Sequence, residues 1–129
     1  MQKLILDTNV LARFLLGDIP DLHNEAKKII ASIESGKALA EVSILVIDEL
    51  VWTMESYYKI ERNSYLSNLR TLLGLRGITI KEVNKAKFLK IMAEFSKSKF
   101  DFTDLYLLFT KKPGQKIMGF DKQLLKYGI

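Results

Sequence analysis

The chain has 129 residues, 48% of them hydrophobic, with 20 Lys and Arg against 15 Asp and Glu for a net charge of +5. That length suits one globular domain, expected over residues 1–129, with a core of useful size. The absence of cysteine excludes disulfides and thiolate metal sites, and the lone His23 excludes a multi-histidine zinc site.

Residues 3–7 read as a short apolar strand of the kind buried on both faces of a parallel sheet, with Thr8 or Asn9 capping a helix through "VLARFLL". "GDIPD" breaks the chain, and a helix from about Leu22 to Ser35 stops at Gly36. "KALAEVS" suggests a second strand, followed by a long helix from about Ile44 to Tyr58 and another over Ser64 to Leu75. "ITIKEV" is a third strand. "NKAKFLKIMAEFSK" places Phe88, Met92 and Phe95 on one helical face and lysines on the other. A short helix over Thr103–Phe109, the breaker "KKPGQ" and a last strand "KIMGF" ending at Asp121 complete the chain. Alternating strands and helices predict an α/β fold with a mainly parallel central sheet. No signal peptide or bilayer-spanning run is read, so a cytoplasmic location is expected.

In open α/β sheets, ligands bind beyond the carboxyl ends of the strands. Asp7 and Asp121 fall at such ends, although an Asp there also serves as an ordinary cap. In "SILVIDELVWTM", Glu49 has Leu45, Val46 and Trp52 as its helical neighbours, and burying a carboxylate among them would be costly. Asp48 has similar neighbours, so periodicity alone does not choose between the two. "FDFTDLYLL" carries Asp101, suited to a cap, and Asp104, whose face turns towards Leu107 and Leu108. Carboxylates crowded in one cleft repel, and an oxygen-ligated Mg²⁺ or Mn²⁺ ion removes that conflict. A basic surface around such a cleft favours an anionic partner, with nucleic acid the commonest.

The segments "ILDTNVLARFL", "VSILVIDELVW", "FDFTDLYLL" and "MGFDKQLLKYG" together resemble the PIN-domain family, and within it the VapC toxins of VapBC toxin–antitoxin modules. The resemblance implies a PIN-like three-layer sandwich, with a central sheet flanked by helices. It implies Asp7, Glu49, Asp104 and Asp121 as catalytic metal ligands, Asn9 as the residue that orients Asp7, and Asp101 as an auxiliary acid. Gly119 stands where the family often has Thr or Ser. The implied activity is a Mg²⁺- or Mn²⁺-dependent endoribonuclease that hydrolyses RNA with metal-activated water. Homodimerisation and inhibition by a cognate VapB-type antitoxin are implied as well.

Arg13, Lys111, Lys112, Lys116 and Lys122 are candidate contacts to RNA or antitoxin, with an ion pair or a solvated rim as the plainer role. Two rival readings are a PIN domain that processes RNA without being a toxin and one that only binds RNA or a partner. A phosphatase using Asp7 as nucleophile would need a second acid two residues later, where Asn9 stands.

Overall fold

The computed structural model describes residues 1–120 and 122. Three strands, β1 (Gln2–Ile5), β2 (Ala38–Val42) and β3 (Ile78–Ile80), form one parallel sheet in the order β1-β2-β3. Leu4 lies opposite Ala40, and Ala40 opposite Ile78. The helices are α1 (Thr8–Leu16), α2 (Pro20–Glu34), α3 (Ile44–Trp52), α4 (Arg62–Leu73), α5 (Lys85–Lys97) and α6 (Phe102–Thr110). This is the α/β fold with a parallel sheet that the alternating pattern predicts, and it is consistent with the sandwich that the resemblance implies.

The helices form where apolar residues recur at helical spacing. Ala26, Ile30 and Ile33 line the buried stripe of α2, and Leu66, Leu69 and Leu73 that of α4. Phe88, Ile91, Met92 and Phe95 do the same on α5, where Asn84 caps the first turn by accepting from Lys87 N–H at 2.8 Å. These stripes meet the inward residues Ala38, Ala40, Val42, Ile78 and Ile80 in one hydrophobic cluster. Pro20 opens α2 at its first turn, and Gly36 follows it in the left-handed region at φ 84°.

Three expectations need correction. β1 is not buried on both faces: it lies at the sheet edge, and Ile5 is 82% exposed. α1 begins at Thr8, so Asp7 holds its N-cap position in place of Thr8 or Asn9. "KIMGF" forms no strand, and Met118 and Phe120 are exposed. The helix expected over Ile44–Tyr58 is α-helical only to Trp52, and its last part is a π-helical turn over Thr53–Tyr57, where Tyr58 N–H reaches back to Thr53 O at 3.0 Å.

Gly77 lets α2 approach β3. A Cβ there would lie 2.9 Å from Ile33 Cγ2 and 3.3 Å from Ile33 O. Ile33 is buried and β-branched, so it cannot swing aside cheaply. Gly77→Ala is expected to cost about 1–3 kcal/mol, read as a lower urea midpoint at unchanged m-value. An unchanged midpoint would show that α2 shifts freely.

Candidate active site

Because the sheet is parallel, all three strands release their chain at one edge. Asp7 follows β1 there, Ser43 follows β2 and opens α3, and Glu82 follows β3. Ser43 Oγ donates to Glu82 Oε2 at 2.6 Å, and Ile44 N–H donates to Glu82 Oε1 at 2.8 Å. Burial pushes the Glu82 carboxyl up, but these hydrogen bonds outweigh it and hold the group below its ordinary value. Glu82 is thus committed to the start of α3.

Asp7 and Asp101 are used differently. Each occupies an N-cap with extended backbone, at φ −86° and ψ 159° for Asp7 and φ −67° and ψ 151° for Asp101. Neither side chain makes the cap hydrogen bond. Capping is done properly elsewhere, by Ser43, which accepts from Leu45 N–H at 3.1 Å, and by Asn84. The plain role offered for these two aspartates, closing a helix end, is therefore not the one their carboxylates perform.

Glu49 is exposed, so the burial cost that set it apart in the sequence does not apply. Its neighbours Leu45 and Trp52 are themselves 77% and 63% exposed, and α3 buries Ile44, Ile47, Leu50 and Val51 instead. Asp48 is also exposed and accepts from Thr103 Oγ1 at 3.0 Å. That bond ties the Asp48–Glu49 turn of α3 to the first turn of α6, which carries half-buried Asp104. The contact brings α3 and α6 together beside these acids, and Asp7 lies at the edge from which α3 also starts. Asn9 is exposed and borders a groove between α1 and α2 with Val10 and Arg13. Asp121 lies outside the described residues.

A second tie between α3 and α6 had no signal in the sequence. Glu55, on the π-helical turn, takes a bidentate pair from Arg62, Nε and Nη2 each donating at 2.9 Å. Tyr65 OH donates to the same carboxylate at 2.5 Å. Arg62 Nη1 donates to Ser98 O at 2.8 Å and Phe100 O at 3.0 Å, just before α6. Burial pushes Glu55 up, but the bonds from Arg62 and Tyr65 and the Arg62 charge together hold it below its ordinary value. Burial and the Glu55 carboxylate push the Tyr65 phenol up.

The basic candidates divide. Arg13 is an ion-pair residue, its Nη1 lying 3.0 Å from both Asp18 oxygens. Lys111 follows α6 and donates to Gln115 O at 3.2 Å, while Lys112, Lys116 and Lys122 are exposed. His23 is half-buried, and its Nδ1 donates to Arg13 O at 2.9 Å.

The family model for the PIN domain matches residues 4–127. The chain belongs to the PIN domain family. PIN domains form a nuclease superfamily and typically use a divalent metal. No curated protein and no solved structure matches this chain.

Among the described residues, no group of three or more Asp, Glu, His or Cys side chains is gathered closely enough to hold a metal ion. The donor chemistry of this PIN domain still fits one. The acids offer only carboxylate oxygens, and Mg²⁺ keeps several waters while taking one or two protein carboxylates. No helix among the described residues is long and apolar enough to cross a membrane.

A carboxyl held low in the fold contributes its full stability above its unfolded value, here 4.5, and loses it as pH falls through the folded value. The stability gap between wild type and Glu55→Gln is therefore expected to narrow in acid, measured by urea unfolding at stepped pH. A gap independent of pH would mean that the Glu55 charge adds nothing.

Proposed function

We propose that this PIN domain is a Mg²⁺- or Mn²⁺-dependent endoribonuclease that serves as the toxin of a VapBC-type module. The reading is carried by the aspartates at the N-caps of α1 and α6, which cap nothing in a chain of a nuclease family. Asp7, Glu49 and Asp104 would hold the ion, one or two of them directly and the rest through its waters, with Asp121 completing the set. Asn9 orients Asp7, and Asp101 acts through water. When bound, the ion supplies positive charge at the phosphate and an acidified water as nucleophile.

The chain's own groups then bind and orient. No side chain needs to attack phosphorus, and the 2′-hydroxyl is not required, so the products carry a 3′-hydroxyl and a 5′-phosphate. Asp104 and Lys111 lie at opposite ends of α6, about 10 Å apart along the helix axis. An RNA strand laid along α6 would meet the acids first and then the lysine turn, whose charge would hold its backbone. As the toxin of such a module it would form a homodimer, and a VapB-type antitoxin would cover the same stretch of α6.

End-labelled total RNA, incubated with pure protein and Mn²⁺, Mg²⁺ or EDTA, tests the reading. Cleavage is expected with metal only. Losing a ligand forfeits several kcal/mol of charge stabilisation, so Asp7→Asn and Asp104→Asn should each lower the rate by about a hundredfold or more. Fragments ending in a 2′,3′-cyclic phosphate, or equal cutting by Asp7→Asn, would overturn it. Growth arrest on expression of wild type but not Asp7→Asn would support the toxin role.

A further inference from the structure

We propose that Arg62 is a positioning residue for this site: it grips the end of α3 and the α5–α6 turn together, and so sets the α6 acids against the α3 acids. This rests on the reading of Glu49 and Asp104 as cation ligands.

The geometry is that of a clasp. Arg62 opens α4, and its side chain is 17% exposed. One edge of the guanidinium faces Glu55, six residues beyond Glu49 on the same run of helix. Nη1 faces three carbonyls, Phe95 O at 3.4 Å, Ser98 O at 2.8 Å and Phe100 O at 3.0 Å. The first two belong to the carboxyl end of α5, where the helix dipole gathers negative charge. The guanidinium also lies 3.7 Å over the Phe95 ring. A lysine could not make this contact set, since only the planar fork presents five donors in fixed directions.

What the clasp holds matters more than its strength. α3 and α6 are tied at two points, Asp48 to Thr103 and Glu55 through Arg62 to Phe100. Glu49 lies between Asp48 and Glu55 on one run of helix, Asp101 lies between Phe100 and Thr103, and Asp104 follows Thr103 directly. The groove between the ties is lined by Asp48, Trp52, Asp101 and Thr103. Releasing one tie frees α6 to pivot about the other, which changes the spacing of the acids without removing any of them.

Lys85 provides a matched control. Its ammonium donates to Leu75 O and to Ile78 O, the latter at 2.8 Å, and so also grips carbonyls. It does this where β3 begins, at the sheet edge opposite the acids.

The test compares full-length wild type, Arg62→Lys and Lys85→Met. Thermal melting, Mn²⁺ affinity and the distance between nitroxides on Leu45→Cys and Leu107→Cys are measured; the chain's lack of cysteine makes this labelling clean. Both variants should melt earlier. Only Arg62→Lys should weaken Mn²⁺ binding, by about tenfold or more, and broaden the α3–α6 distance distribution. An unchanged distribution, or equal Mn²⁺ weakening in Lys85→Met, would overturn the positioning role. If Arg62→Lys does not fold, Glu55→Gln opens one side of the same clasp and must show the same pair of effects. A wild type that binds no Mn²⁺ would instead overturn the reading of the acids as ligands.

Discussion

Parallel strand pairing is the constraint on which the rest of this molecule depends. Antiparallel strands would send successive connections to opposite edges, but here Ile5, Val42 and Ile80 all end on the same side. Asp7, the start of α3 and Glu82 are therefore neighbours in architecture although far apart in sequence. The parallel arrangement also requires a crossover after each strand, and those crossovers supply the helices that bury the sheet's inner face. Small residues make the fit possible. Ala38 and Ala40 line the inner face of β2, and Gly77 admits Ile33.

Polar groups in this fold fall into two kinds. Ser43, Asn84 and Glu82 close helix ends, while Arg62 and Lys85 gather carbonyls that no secondary structure satisfies. All of these lower the cost of withdrawing backbone groups from water. Asp7, Asp101 and Glu49 stand apart from that work. Asp7 and Asp101 sit where capping would be natural and do not cap, and Glu49 is exposed on α3.

Much of the fold was readable from apolar spacing, because periods of two and of three to four reflect which side of an element meets the core. The Phe88, Met92 and Phe95 stripe of α5 came through in this way. The apolar run "KIMGF" did not become a strand, since local hydrophobicity carries no information about a pairing partner. Glu49 shows the same limit: its apolar neighbours identify a helical face but not whether anything covers it. The α/β architecture and the PIN resemblance were legible from four separated segments. The ties between α3 and its surroundings were not, because Ser43–Glu82 spans 39 residues and Asp48–Thr103 spans 55. Nor was the π-helical turn, whose i→i+5 bond leaves no compositional trace.

Trp52 is the only tryptophan in the chain and stands 63% exposed on the wall of the groove between α3 and α6. Its indole is therefore a built-in optical reporter, emitting from an aqueous setting while the groove is open. A base stacked on it or a protein segment laid across it would dry the ring, shift its emission to the blue and shield it from dissolved quenchers. With no second tryptophan to dilute the signal, occupancy of this one groove can be followed in unlabelled protein.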